Sequence, residues 1–294
     1  MRHSEQILPV AADTARELAE LAARYETREF IVGDPSWFMH QVEGDRNREL
    51  TAFVASCLSY GARRQFMPKV EWLVDRAEGD IDAWVRSGTF ARDLPADSDV
   101  CFYRMNTVAQ LHCLLAACRD VLDRHGSLSE YLRGRGVTSG IEAVNAITAR
   151  FASRGVGALV PKDATSACKR VCMFLRWMAR ADSPVDLGLW ADFLDRRTLI
   201  MPMDTHVVQQ SLRLGLLTCN AKSPSVTMRT AQRLTDTLRQ VFPDDPLRAD
   251  FALFGYGVTA ASRKHERCQA LRGGGVKRSK TLTRPEASNC ISPR

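Results

Sequence analysis

Apolar residues recur along most of this chain at the period of an α-helix. Segments 48–60 and 107–125 are long and strongly apolar, and each is followed by a glycine, Gly61 or Gly126, the residue type that most often ends a helix. No segment shows a convincing alternation of period two. The pattern predicts an all-α protein with roughly ten helices joined by short loops. Outside the candidate site, the predicted helices span residues 13–25, 48–60, 65–77, 81–87, 107–125, 140–154, 225–241 and 246–256, with a short one capped by Ser127 or Ser129.

The C-terminal segment differs in composition from the rest. Apolar content falls after residue 261, and Gly273, Gly274 and Gly275 open a polar, basic stretch. Residues 262–294 hold nine Lys and Arg against two acids, an excess equal to the net charge of +7 of the whole chain. We therefore predict a helical domain over residues 1–262 and a basic, disordered tail over residues 263–294. Such a tail suits contacts with phosphates, but it is equally typical of a solubilising end.

Composition sets the class and the compartment. Contents of 45% apolar and 26% charged residues are those of a folded soluble protein, and no run approaches the length of a membrane span. Four acids in the first 25 residues argue against a secretory signal and favour the cytoplasm. The nine scattered cysteines contain no CxxC, which indicates free thiols in a reducing compartment, and the histidines show no metal-ligand spacing. No metal or cofactor is expected.

The segment around Lys169 contains the first candidate for chemistry. One apolar stripe runs along its predicted helix, and Lys169 lies on the other side together with Arg176 and Arg180. That side is either a solvated basic face or the lining of a cleft. In a cleft the ammonium form of Lys169 is disfavoured, and the free amine becomes a nucleophile able to form a Schiff base. Arg176 and Arg180 would then contact phosphates or point into solvent. The stripe consists of Val171, Phe174, Leu175 and Met178.

A second candidate, Asp204, lies 35 positions after Lys169. Pro202 disfavours helix at the residue before it, so the chain enters this segment extended and Asp204 is well placed as the N-cap of a helix that ends at Gly215. A plain cap is one interpretation. The other is a carboxylate that stabilises positive charge in a reaction carried out by Lys169. His206 has the ordinary interpretation of a partly buried polar side chain.

The two segments together resemble a known superfamily. The runs are KRVCMFLRWM and DTHVVQQSLRLG, and Lys169 is followed at +5, +6 and +7 by Phe-Leu-Arg, as in the 8-oxoguanine-removing branch of the helix–hairpin–helix (HhH-GPD) base-excision DNA glycosylases. RNRELTAFVASCLSYGARRQ and HGSLSEYL are similar to upstream segments of that domain, so the resemblance covers roughly residues 45–260. The chain is more similar still to a bacterial family of conserved hypothetical proteins, with the markers SACKRVCMFLRWM, DLGLW, DTHV and DFALFGYG.

The superfamily resemblance implies a fold and an activity. The fold is two-lobed and helical with a cleft between the lobes, and the activity is excision of a damaged base followed by strand cleavage through a lysine Schiff base. Lys169 and Asp204 are the implied catalytic residues. The expected partner is double-stranded DNA, bound by a monomer without a cofactor or a membrane. The implied nucleic-acid contacts are Lys162, Arg176, Arg180 and His206.

One motif of the superfamily is missing here. The Gly-rich hairpin that grips a DNA phosphate is replaced by LVPKDATSA, where Lys162 and the amides after Asp163 are the candidate substitutes. Residues for the base pocket are candidates by chemistry alone, namely Tyr60, Phe66 and Trp37, and each also fits a core position. Two alternatives to the glycosylase therefore stay open: a non-catalytic helical nucleic-acid-binding module, and a protein-interaction or RNA-processing role on the same scaffold.

Overall fold

The segments of helical period fold as helices. A computed structural model describes residue 7, residues 9–218 and residues 226–259 of the chain. These residues are predominantly helical, with one two-stranded sheet, which confirms the all-α class. The α-helices are α1 (Ala12–Tyr25), α2 (Arg28–Ile31), α3 (Asp45–Leu58), α4 (Arg63–Arg76), α5 (Ile81–Ser87), α6 (Phe90–Asp93), α7 (Val108–His125), α8 (Leu128–Arg133), α9 (Gly140–Phe151), α10 (Lys169–Ala179), α11 (Thr205–Arg213), α12 (Met228–Leu238) and α13 (Arg248–Asp250).

The last described helix changes its winding. After α13 the chain continues as a π-helix over Phe251–Gly255 and returns to α-helix over residues 256–259, and we call the whole segment 248–259 the C-terminal helix. The compact unit that contains it extends to Val258. The predicted basic tail, residues 263–294, lies outside the described residues. Within the described ranges no helix combines the length and apolar character needed to cross a membrane.

Several predicted boundaries are close to the observed ones. The helix predicted over 81–87 has those bounds, and the one predicted over 107–125 begins one residue later because Thr107 is its cap. The side chain of Thr107 accepts a hydrogen bond from the backbone N–H of Gln110, whose own side chain bonds back to Thr107 N, a capping box. Ser127, the first of the two predicted caps, accepts from Glu130 N at the start of α8.

The sequence pattern did not predict a β-hairpin between α6 and α7. Its strands are β1 (Cys101–Tyr103) and β2 (Asn106–Thr107), which are too short to show a period of two. Arg104, in the turn between them, has a φ of +53°. Tyr60 Oη donates to Tyr103 O at 3.1 Å, Tyr103 Oη donates to Tyr60 O, and Asn106 Nδ2 donates to Tyr60 Oη. These bonds fix the hairpin to the segment that follows α3.

Helix α3 lies at the centre of the core. It packs against α10 and is buried over eleven of its fourteen residues, which explains why its sequence is apolar on nearly every side. The ring of Phe53 lies 5.1 Å from that of Phe151 and 5.2 Å from that of Phe174. Burying one such ring contributes about 1.5–3 kcal/mol to the free energy of unfolding. This packing positions the N-terminal end of α10 next to the segment after α3.

One charged residue of α3 is also buried, and it connects distant parts of the chain. Glu49 accepts hydrogen bonds from Leu128 N at 2.8 Å, Ser129 N at 3.1 Å and Trp190 Nε1 at 2.8 Å. Burial raises the pKa of this carboxyl, although the three donors act to lower it. Glu49 therefore caps α8 and holds the segment around Trp190 against α3.

Candidate active site

A cavity of about 1000 Å³ opens between four parts of the fold. These are the segment from the end of α3 to the start of α4, the N-terminal end of α10, helix α11 and the C-terminal helix, and residues 30–35 and the loop before α10 complete the wall. Binding cavities for small molecules and nucleotides have volumes of about 300–1000 Å³, so the space holds a ligand of nucleotide size. The ionisable side chains that line it include Lys169, Asp204, Asp34, Asp250, Arg63 and Arg170.

Lys169 is placed in the cavity by the turn that starts α10. The preceding residue, Cys168, is a buried non-glycine N-cap with a φ of +45°, a conformation that side chains other than glycine adopt rarely and that the surrounding structure must stabilise. Its thiol donates to Asp163 O at 3.3 Å, and Ser166 pairs with Thr227 in an isolated β-bridge. The loop is thereby fixed on both sides, and Lys169 is the first residue of the helix.

The surroundings of Lys169 favour its neutral form. Burial lowers the pKa of the amine, while the carboxylates of Asp204, Asp250 and Asp34 act to raise it, and Arg170 acts to lower it. Lys169 forms no direct ion pair within the described part of the chain, so its amine faces the cavity without a fixed partner. The alternative of a solvated basic face does not fit this placement. A lowered pKa increases the fraction of the neutral, nucleophilic amine at a given pH.

Asp204 has the position that its sequence predicted, at the N-cap of α11. Its Oδ1 accepts a hydrogen bond from Val207 N at 2.8 Å, which is the structural role of a cap. Its Oδ2 has no hydrogen-bond partner among the described residues, and the residue lines the cavity. The two interpretations of Asp204 are therefore compatible, because one oxygen caps the helix while the other is available to a ligand. Lys169 and Asp204, predicted as a pair, line the same cavity.

Two further carboxylates line the cavity that the sequence pattern did not predict there, Asp250 and Asp34. Asp250 is buried at the end of α13 and forms an ion pair with Arg176, and burial raises its pKa to about 6. Asp34 caps the 3₁₀ helix Pro35–His40 through Ser36 N and forms an ion pair with Arg63 at 3.1 Å. Asp34 lies in a loop segment, and Asp250 begins the DFALFGYG marker, for which no role at the site was predicted. Only the tertiary structure brings them to the lysine.

Arg176 and Arg180 require a correction. The sequence pattern assigned them to phosphate contacts or to solvent, but their side chains are 5% and 2% exposed. Their guanidinium groups share Asp186, which is fully buried, and both lie over the ring of Phe251, at 4.5 and 5.3 Å from its centroid. The helical periodicity placed them on the correct side of α10, and the segment 182–187 and the C-terminal helix cover that side. They are structural, and neither is available to a phosphate.

The rest of this buried cluster is acidic. Arg176 pairs with Asp250 as well as Asp186, and Arg180 pairs with Glu26 at 2.6 Å and Asp245 at 2.8 Å. Burial alone would lower the pKa of both arginines, but the carboxylates outweigh it and raise the pKa instead. The cluster thus joins α1, α10 and the C-terminal helix through charge-assisted hydrogen bonds.

Of the remaining predicted site residues, some line the cavity and others lie outside it. His206 lines the cavity with its ring 5.9 Å from that of Phe254, and Gly257 lies so close that a Cβ there would be 2.8 Å from His206 Cβ. Lys162 is exposed on the loop before α10 and is not part of the cavity lining. Of the aromatic candidates, Tyr60 and Phe66 line the cavity, whereas Trp37 does not. Phe254, in the DFALFGYG marker and without a predicted role, also lines the cavity and lies in the C-terminal helix one turn after Asp250.

Metal ligation has no support in this geometry. Among the residues that the structure describes, no group of three or more His, Cys, Asp or Glu is arranged to hold a metal ion. The carboxylates of the cavity instead have organic cations as neighbours, Arg63 beside Asp34 and Arg176 beside Asp250. Among the described residues, the lining therefore includes the amine of Lys169, a carboxylate oxygen of Asp204 without a hydrogen-bond partner, the two ion-paired carboxylates of Asp34 and Asp250, and the guanidinium group of Arg170.

The cavity and the helices around it define a helical protein with a lysine-containing site. Comparison with known proteins places the chain in a family: it belongs to the one described as protein of unknown function DUF2400, which matches residues 34–259. The match therefore includes Lys169 and the charged groups that act on its pKa, namely Asp34, Arg170, Asp204 and Asp250. No curated protein and no solved structure matches the chain.

Proposed function

We propose that this protein is a DNA glycosylase with AP lyase activity, which removes a damaged base from double-stranded DNA through a Schiff base on Lys169. The observation that carries the proposal is the amine of Lys169, which faces a cavity of nucleotide size with its pKa lowered by burial and with Asp204 in the same lining. The resemblance of the Lys169 and Asp204 segments to the HhH-GPD glycosylases supports the same conclusion.

The arrangement of helices is part of the proposal. We infer an HhH-GPD-like, two-lobed fold in which α9, the loop 152–168 and α10 take the place of the helix–hairpin–helix. The order of elements supports this, because Lys169 begins the second helix of the pair and Asp204 caps a later one. The protein would act in the cytoplasm as a monomer, with DNA as its partner.

The first chemical step breaks the bond between base and sugar. A damaged nucleotide turns out of the duplex into the cavity, at a cost of a few kcal/mol. The lone pair of Lys169 Nζ attacks C1′ while the C1′–N bond breaks, and the base leaves with that electron pair and takes a proton from solvent. Positive charge develops at C1′, where the carboxylate of Asp204 stabilises it. The product is a sugar bonded to Lys169 through C1′.

The second step opens the sugar and cleaves the strand. Nζ loses a proton, the C1′–O4′ bond breaks with a proton added to O4′, and an iminium ion joins C1′ to Lys169. Loss of a proton from C2′ then expels the 3′ phosphate by β-elimination. Water hydrolyses the iminium ion and restores the amine. A reductant that intercepts the iminium ion leaves the protein covalently bound to DNA.

That covalent product is the test of the proposal. The purified protein is incubated with borohydride and labelled duplexes that contain 8-oxoguanine, uracil, an oxidised pyrimidine or an abasic site. A covalent adduct is expected with the abasic duplex and with the duplex that carries the recognised lesion. A folded protein that gives no adduct with any of these duplexes contradicts the lyase mechanism, and binding without an adduct would favour the non-catalytic nucleic-acid-binding module.

Replacing Asp204 by Asn should separate the two steps. Asn is also a good N-cap, so α11 keeps its cap while the negative charge is lost. We expect base excision to slow by roughly 100-fold, since the positive charge at C1′ loses its stabilising partner. Trapping on an abasic site, whose base is already gone, should slow much less. Equal losses in both assays would contradict the assigned role of Asp204.

The pH dependence of borohydride trapping should report the pKa of the Lys169 amine. Burial lowers the pKa of Lys169, so the reactive neutral form is expected to appear at lower pH than for an exposed lysine, and the trapping rate should rise with pH to an early plateau. Asp250 carries negative charge above its pKa of about 6 and acts to raise the pKa of Lys169. Asp250→Asn should therefore shift the midpoint of the rise to lower pH. The control Asp195→Asn, at a half-buried acid outside the cavity lining, should leave the midpoint unchanged.

A further inference from the structure

We propose that Arg104 and Arg170 form a phosphate-binding site around Tyr60, at the edge of the cavity, which holds the DNA backbone next to the nucleotide in the cavity. This inference rests on the proposed function for the identity of its ligand. The site would take over the task of the Gly-rich hairpin that this chain lacks. It is formed from three separate segments: the end of α3, the β-hairpin and the start of α10.

Arg170 is a cation without a carboxylate partner in the described part of the chain. It follows Lys169 in α10, lines the cavity and lies over the ring of Tyr60, 5.0 Å from the centroid. Its guanidinium group donates to two backbone carbonyls, Cys57 O at 2.6 Å and Ala158 O. The ionisable groups that act on it are Tyr60 and two cysteines, and burial raises the pKa of each of the three, which keeps them neutral near pH 7. Its charge is therefore fixed in place and not neutralised.

Arg104 adds a second cation on the same aromatic ring. It occupies the turn of the hairpin, is exposed, and lies 6.0 Å from the ring centroid of Tyr60. Its Nη1 fills the space above Gly61, where a Cβ would approach it to 2.3 Å, and Gly61 lines the cavity. No described carboxylate forms an ion pair with Arg104. The hydrogen bonds between Tyr60 and Tyr103 hold the hairpin in this position.

Apart from Arg170, the arginines of the cavity lining are paired with carboxylates. Arg63 is paired with Asp34, and Arg176 with Asp250 and Asp186, so their charges are neutralised within the protein. Arg104 and Arg170 thus leave an excess of positive charge on the Tyr60 side. A guanidinium group held by a carbonyl or an aromatic ring keeps donors free for the oxygens of a phosphate. Two such groups beside a cavity of nucleotide size suit the phosphate oxygens of a polynucleotide backbone.

Salt-dependent binding tests the site without requiring catalysis. Binding of a short labelled DNA duplex with a non-cleavable abasic analogue is measured between about 50 and about 200 mM NaCl. Arg104→Ala and Arg170→Gln are each expected to weaken binding about tenfold at low salt and to reduce the slope of log K against log[NaCl] by about 1. Arg104 is exposed, so its variant tests the site even where Arg170→Gln fails to fold.

The matched control is Arg124→Ala, which makes the same change in charge at the other end of α7. The 18 residues of that helix separate it from the hairpin by about 27 Å. An unchanged slope in Arg104→Ala, or an equal change in Arg124→Ala, would overturn the phosphate site. A protein that binds through Arg104 and Arg170 but gives no borohydride adduct retains the site and loses the proposed lyase. A protein that gives the adduct with an unchanged slope loses only the site.

Discussion

Lys169→Gln is expected to abolish the borohydride adduct with abasic DNA, with a loss of more than roughly 10³-fold in trapping. The amide of glutamine has no nucleophilic lone pair at nitrogen, and among the residues that the structure describes no other lysine lines the cavity. The comparison is made with equal amounts of folded protein on the same abasic duplex. An adduct that persists in Lys169→Gln would show that another amine attacks the sugar, and it would remove Lys169 from the mechanism.

The stability of the same variant separates a catalytic role from a structural one. Burial disfavours the ammonium form of Lys169, and a neutral glutamine of similar length removes that cost. We therefore expect the melting temperature of Lys169→Gln to be equal to that of the wild type or higher. The control is Lys162→Gln, which changes an exposed lysine on the preceding loop and should keep the adduct at saturating protein. A strong fall in melting temperature for Lys169→Gln would contradict this view of the site.

Asp186→Asn is expected to lower the free energy of unfolding by about 3 kcal/mol. Asp186 is buried and is the carboxylate that Arg176 and Arg180 share. An asparagine of the same shape leaves both guanidinium groups short of one negative partner and directs an additional N–H donor toward one of them. The change is measured by urea denaturation at neutral pH.

An exposed ion pair provides the control for that measurement. Asp192 pairs with Arg133 at 2.5 Å and its side chain is 63% exposed, so Asp192→Asn should change the free energy of unfolding by less than about 1 kcal/mol. The two substitutions are chemically identical and differ in burial. A loss for Asp186→Asn as small as that for Asp192→Asn would mean that the buried cluster does not stabilise the fold.

The sequence was informative wherever the signal was local and repeated. Helical period and caps predicted α5, α7 and α8 closely, because these signals lie within each helix. The hairpin escaped prediction since three and two residues are too few for a period. What holds it is Tyr60, more than 40 residues away, and no local pattern encodes a contact of that kind.

In the candidate site, too, local sequence signals were predictive and contacts between distant residues were not. Lys169 and Asp204 were found because each sits at a recognisable helix start within a family-like motif. The pattern also put Arg176 on the correct side of α10, but it carried no information about the acidic elements that cover that side. Asp250 begins the DFALFGYG marker, but neither this marker nor any pattern around Asp34 indicated proximity to Lys169, which depends on contacts over more than 80 residues. Burial of charge is a tertiary property, and single sequences do not display it.

The contact between the ends of the described chain has a consequence for biosynthesis. Gly255 of the C-terminal helix lies against the ring of Tyr25, where even a Cβ would approach the ring to 2.5 Å, and α1 packs along the π-helical segment. Emergence from the ribosome proceeds from the N-terminus at about 5–20 residues per second. Helix α1 therefore cannot pack against the C-terminal helix until nearly the whole domain has been translated. Asp250 arrives in the same late segment, so a nascent chain cannot assemble the cavity around Lys169 before the domain is almost complete.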